Sequence, residues 1–231
     1  MKGLVLISAY DSADTLPAVL EGLKRYSFPD VVVVDDGSTD GTADIARSYG
    51  THVIRHRKNR GKGAALQSGF RYAESRNADF VITRDADEQH PASCIRDLLS
   101  LHEKYPDAVL LGTRERDRNM PRARKISNAL SAFLISLRCG RKIRDAQCGY
   151  RLIPAPYFRW HCSTRRGFIF ESETLICLAD NGVPFHPVPV PTLYPRNNKS
   201  KMTYFRSTFG FISMYIASFF KNYRKAQHDL P

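Results

Sequence analysis

Four consecutive valines, Val31–Val34, leave a strand with no polar face. Such a strand must be covered on both sides, the condition of parallel strands in layered α/β proteins. The run ends abruptly in Asp35-Asp36-Gly37-Ser38-Thr39-Asp40-Gly41-Thr42. A second apolar run, Phe80–Thr83, ends in Arg84-Asp85-Ala86-Asp87-Glu88-Gln89-His90-Pro91, where Pro91 favours a helix start. Around these runs the pattern predicts strands at Leu4–Ser8, His52–Arg55 and Ala108–Gly112. It predicts helices from Ser12 or Asp14 to Arg25, Asp40 to Tyr49, Ala64 to Glu74 and Ala92 to Lys104. This strand–helix alternation points to a doubly wound α/β fold, a mostly parallel sheet with helices on both faces. Ligands of such sheets gather at the carboxyl ends of the strands. The loops after Ser8, Val34, Thr83 and Gly112 therefore open on one edge, and they carry Tyr10, Asp36, Asp85, Asp87 and Arg114.

Asp85 and Asp87 are one residue apart at a strand end, where i and i+2 point to the same side. Two hard oxygen donors there suit Mg2+ or Mn2+, with phosphate completing the shell. A D-x-D alone is more often a turn with solvated acids. Two acidic clusters on one edge are harder to explain by packing, and a metal-nucleotide would neutralise them. There is no G-x-G-x-x-G after the first strand and no G-x-x-x-x-G-K-[ST], which argues against dinucleotide oxidoreductases and P-loop NTPases. Gly61-Lys62-Gly63 fits a phosphate-facing loop or a tight strand-to-helix turn equally well.

Charge is unevenly placed. The whole chain of 231 residues carries a net charge of +12. Residues 1–113 hold 14 basic and 16 acidic side chains, net −2; residues 114–166 hold 14 basic and 3 acidic, net +11. Residues 196–225 add seven cations and no acid. Nucleic acid, an anionic membrane or a phosphorylated substrate would each suit the basic half. The acid-lined first half and the lack of a binding motif argue against nucleic acid. Cys94, Cys139, Cys148, Cys162 and Cys177 show no C-x-x-C spacing and read as reduced thiols of a cytosolic protein.

The ordered set of Tyr10, Val34–Thr42, Asn59-Arg60-Gly61-Lys62-Gly63 and Asp85–Pro91 resembles family 2 glycosyltransferases. Within them it is most similar to the dolichyl- and polyprenyl-phosphate sugar synthases, supported by Gly112-Thr113-Arg114, Asp145–Arg151, Arg196 and Ser200-Lys201. Ser8 and Ser12 depart from the Pro and Glu that those enzymes often carry. The resemblance implies a GT-A fold and a UDP- or GDP-linked sugar donor. It implies that Ser8, Tyr10, Ser12, Val34, Asp36, Lys62, Asp85 and Ala86 bind the nucleotide-sugar. It assigns Asp85, Asp87 and Gln89 to the metal, and Arg114, Arg124, Arg196 and Lys201 to the acceptor and diphosphate.

Glycosyl transfer with attack from the opposite face predicts inversion. A hydroxyl acceptor needs a general base, whereas a lipid phosphate is largely ionised already. Glu173 is the candidate base, Glu171 reads as a helix-dipole complement, and Asp145, grouped with the catalytic candidates, reads as orienting Gln147–Arg151 rather than taking a proton. Residues 1–195 are expected to form the catalytic domain, and 196–231 a basic acceptor loop and an amphipathic helix. The tail keeps only 14 uncharged residues after Arg206, too few to span a bilayer. Its aromatics and flanking cations suit a helix in the membrane interface; packing on the domain, on a second copy or on a membrane-protein partner is the alternative. Ala129–Leu137 reads as a second apolar helix. The resulting expectation is a peripheral enzyme at the cytoplasmic face of the membrane.

Overall fold

The computed structural model describes residues 1–26, 30–114, 122–159, 169–191 and 204–223, without the side chains of 122–124 and 204–208. Seven strands form one sheet: β1 Gly3–Ala9, β2 Val31–Asp35, β3 His52–Arg55, β4 Phe80–Asp85, β5 Val109–Arg114, β6 Arg151–Pro154 and β7 Phe185–Val190. Their order is β3-β2-β1-β4-β6-β5-β7. β6 runs antiparallel to both β4 and β5, and every other pairing is parallel. The helices are α1 Leu16–Arg25, α2 Thr42–Ser48, α3 Lys62–Ser75, α4 Cys94–Lys104, α5 Arg122–Cys139, α6 Ile169–Asp180 and α7 Tyr204–Ala217.

The valine run does what its composition requires. Val32, Val33 and Val34 are fully buried, with Val32 and Val34 in one core and Val33 in the other. The first core lies under α3, α5 and α6; the second lies under α1 and α4. Gly69 lets α3 approach β1, because a Cβ there would stand 2.1 Å from Leu6 Cδ1.

Three findings differ from the sequence reading. β6 and β7 complete the sheet although neither has a clear strand pattern. β7 carries Pro187 and Pro189, which an edge strand tolerates because their missing N–H groups face no partner. Third, Cys177 is held in a disulfide, whereas Cys94, Cys139 and Cys148 are free thiols; Cys162 lies outside the described residues. The expectation of five reduced thiols is therefore corrected.

Candidate active site

Four parallel strands deliver their loops to one edge. β1 and β4 lie side by side with Ser8 opposite Asp85, and Ser8 Oγ donates to Asp85 Oδ1 at 3.4 Å. Lys62, from the first turn of α3, places Nζ 2.6 Å from Asp85 Oδ1 and 3.1 Å from Glu171 Oε2. Burial alone would lower the Lys62 pKa, but Asp85 and Glu171 outweigh it and the ammonium is held charged. Burial works likewise against ionised Asp85, and Lys62 overrides it, so its pKa is lowered. Gly149 closes this cradle: a Cβ there would fall 2.7 Å from both Asp85 Oδ2 and Lys62 Nζ.

Asp87 is in a different state. Among the described residues it forms no ion pair, and it accepts the Gln89 N–H at 3.3 Å. Burial, then repulsion from Asp85, pushes its pKa up to about 6. The loop is held by a left-handed Glu88 (φ 49°) and by buried Arg84, whose Nη2 donates to the His90 carbonyl. A half-buried carboxylate short of one positive charge, beside the Gln89 amide, fits the hard oxygen ligation of Mg2+ or Mn2+. No group of three or more His, Cys, Asp or Glu side chains is arranged for a metal among the described residues. Phosphate oxygens would have to supply part of the shell.

Other expected residues take distinct places. Tyr10 is partly exposed, and its carbonyl accepts the Ser12 hydroxyl. Ser12 N–H donates to Thr42 Oγ1 at 2.8 Å, tying the first loop to α2. The Val34 side chain lies in the core, so only its backbone faces the edge. Ala86 is buried, and its carbonyl accepts from Thr15 Oγ1. Asp36 is turned inward: its carboxylate accepts the N–H groups of Arg60 (3.0 Å) and Gly61 (2.6 Å) and meets His56 Nδ1 at 2.6 Å. It therefore shapes the turn that presents Lys62. Arg124 lies in α5 with its side chain outside the description; Arg196 and Lys201 lie outside the described residues.

Two candidate acids are held by cations. Asp145 receives Arg114 Nε and Nη2 at 2.7 and 3.0 Å, and accepts Gln147 N–H at 3.0 Å. Burial opposes its charge, but Arg114 holds its pKa below the usual range, so it orients Arg114 rather than accepting a proton. Glu173 is 1% exposed and points away from the edge, bonded to Lys221 Nζ (2.6 Å) and Tyr223 OH (3.0 Å). Glu171 is the acid that α6 delivers to the Lys62–Asp85 cluster. Arg151, the last residue of the Asp145–Arg151 run, braces this corner by donating to the carbonyls of Ala146, Cys148 and Glu171. No motif spacing marks Glu171.

A mostly parallel sheet that presents a D-x-D loop and a cationic corner at its carboxyl edge is the architecture of the GT-A fold. The chain belongs to glycosyltransferase family 2: the family model described as Glycosyl transferase family 2 matches residues 4–160. It is 29% identical to the undecaprenyl-phosphate mannosyltransferase of Micrococcus luteus, covering 88% of each chain. It is 25% identical to the UDP-N-acetylglucosamine–dolichyl-phosphate N-acetylglucosaminyltransferase of Methanococcus voltae, covering 86% of this chain and 88% of the relative. Among solved structures, glucosyl-3-phosphoglycerate synthase from Mycobacterium tuberculosis with UDP superposes at a TM-score of 0.76 and 17% identity. That match covers 94% of this chain and 79% of the other. The same synthase is also known with Mn2+, UDP and glucosyl-3-phosphoglycerate bound, at a TM-score of 0.70.

Proposed function

We propose that this glycosyltransferase moves a sugar, with inversion, from a nucleotide-diphosphate sugar to a polyprenyl phosphate, and that it needs Mg2+ or Mn2+. The observation that carries the acceptor is the state of the acids. Asp85, Glu171, Asp145 and Glu173 are each held by a cation and Asp87 is assigned to the metal, which leaves no ready base for a hydroxyl among these five. A phosphate monoester needs none, because its second pKa is about 6. The two relatives named above, matched over most of their length, act by name on polyprenyl phosphates.

A divalent cation held by Asp87 and Gln89 would act as a Lewis acid toward the leaving diphosphate. Lys62 supports the same developing charge from a largely water-excluded position, its side chain 11% exposed. Asp36 holds the turn that aims Lys62, and Asp145 holds Arg114 at the rim. Tyr10, Ser12 and the Val34 backbone border the nucleotide side, and the loop bearing Arg196 and Lys201 serves the acceptor.

The enzyme works as a peripheral protein on the cytoplasmic face of the membrane. Among the described residues no helix is long and apolar enough to cross a bilayer. Two apolar strips are exposed instead: Ile126, Leu130, Phe133 and Leu137 on α5, and Phe209, Ile212 and Ile216 on α7, followed by Phe219 and Phe220. Arg138 joins the two helices, donating to the Ser218 carbonyl at 2.8 Å.

A second reading, transfer to a hydroxyl, is favoured by the position of Glu171 at the edge, with Glu171 rather than Glu173 as base. Transfer from labelled UDP- and GDP-sugars into extracted lipid, with Asp87→Ala as control, tests the first reading. Glu171→Gln separates the two. Loss of about tenfold or less in kcat supports the phosphate acceptor; loss of about 10²–10⁴-fold would indicate general-base chemistry.

A further inference from the structure

A groove of about 450 Å³ opens beside the carboxyl end of β5, between Arg114 and the middle of α5. Its floor is fixed. Ile143 N–H donates to Ser136 Oγ at 2.9 Å, and the Ser136 hydroxyl lies 3.0 Å from the Ile143 carbonyl. Ile143 is buried by this clamp, which leaves its neighbours Lys142 and Arg144 exposed along the groove. Among the described residues neither Lys142 nor Arg144 has a hydrogen bond or an ion pair. Arg114 is neutralised by Asp145, so among the described residues the groove's uncompensated charge is the two of Lys142 and Arg144.

The opposite wall is apolar. Phe133 lines the groove while 64% exposed, and it belongs to the α5 strip with Ile126, Leu130 and Leu137. Their spacing of four, three and four residues keeps them on one helix face. The strip from Ile126 to Leu137 is roughly 16 Å long at 1.5 Å per residue. Two cations at one end of a hydrocarbon-lined track describe an amphipathic anion, with charge at its head and none along its tail. A phosphate monoester carries about −1.5 to −2 near neutral pH, which matches the two unpaired cations.

We infer that Lys142 and Arg144 receive the phosphate of a prenyl phosphate acceptor, while Phe133 and the α5 strip receive its first prenyl units. The inference rests on the proposed acceptor class and assigns it a place and residues. Arg114 stands at the junction, reaching the groove on one side and acting electrostatically on Asp85 on the other. The head group thus enters beside the donor site and the tail leaves along α5 toward the bilayer.

The test uses the full chain with a detergent-dispersed prenyl phosphate at saturating donor. Lys142→Gln/Arg144→Gln and, separately, Phe133→Ser should each raise the acceptor KM about tenfold or more, a loss of about 1.4 kcal/mol. kcat should stay within about twofold and donor affinity should be unchanged. The charge variant should still sediment with acceptor-free vesicles of phosphatidylcholine and phosphatidylglycerol. An unchanged KM overturns the assignment. Lost vesicle binding with unchanged KM in detergent also overturns it, and gives the groove to bulk anionic lipid. A fall in donor affinity overturns it by tracing the effect to the Arg114–Asp145 pair. Wild-type enzyme that labels no prenyl phosphate overturns the underlying acceptor reading, and the groove assignment with it.

Discussion

Glu171 and Glu173 stand two positions apart on α6, which places them on opposite sides of the helix. One meets Lys62 at the active edge and the other meets Lys221 and Tyr223 behind it. The sequence could not choose between them, because every residue from Phe170 to Ala179 is buried and the helix has no polar face to set its phase. The structure predicts different losses. Glu173→Gln should lower stability by about 1–3 kcal/mol through a weakened buried charged hydrogen bond, with kcat intact, as checked by thermal unfolding beside steady-state rates. Gly149→Ala should weaken donor binding about tenfold or more, because its Cβ would displace Asp85 or Lys62. Calorimetric titration with UDP- and GDP-sugars reads that loss. Asp87 gives a pH signature. Its pKa is raised from the ordinary 3.8 to about 6, so in metal-free protein its contribution to stability is present below about pH 4 and is lost as pH rises through 6. Metal must displace that proton. The rise in Tm on adding Mn2+ should be small at pH 5 and grow toward pH 7, and Asp87→Asn should abolish the growth.

Elements with one strong period were readable; elements whose role depends on neighbours were not. Val31–Val34 and Phe80–Thr83 declared themselves by continuous apolar runs, and α1 by Leu16, Val19, Leu20 and Leu23 on one face. β6 has only four residues, begins with a buried arginine and ends in a proline. It is a strand because β4 and β5 flank it on both sides. β7 survives two prolines because it is an edge. α5 was foreseen as Ala129–Leu137 and runs from Arg122 to Cys139, its start hidden in a basic segment. The join between α5, α6 and α7 is a polar one. Arg138 binds Asp180 through Nη1 (2.9 Å) and Nη2 (2.8 Å), and its guanidinium lies over the Phe219 ring. Arg138→Met should therefore loosen the C-terminal helix. Limited proteolysis should cut near 218–223 at lower protease concentration, and Tm should fall by a few degrees, as about 1–2 kcal/mol predicts for a chain of this size.

For the whole molecule, the sequence located the basic half, the acidic edge and the apolar tail, but not their meeting. Arg138 ties the end of α5 to Ser218 and Phe219, just past α7, and the groove cations follow the end of α5 in the chain. Binding to anionic vesicles should weaken by about tenfold or more between 50 and 500 mM salt, since screening acts on exposed cations. It should survive on neutral vesicles at a reduced level, through the apolar strips alone. Flotation at stepped salt separates these contributions.

The strand order has a consequence for how the chain is made. β3, β2, β1 and β4 can assemble once residue 85 has left the ribosome. β5 cannot join them then, because its place beside β4 is reserved for β6, which ends at Pro154. During that interval β5 waits without its sheet partner and the apolar face of α5 stands uncovered, at a stage when nascent chains are prone to aggregate. A membrane-proximal or chaperone-covered exit would shelter α5 through the delay, since its exposed apolar face is the one most in need of cover at birth.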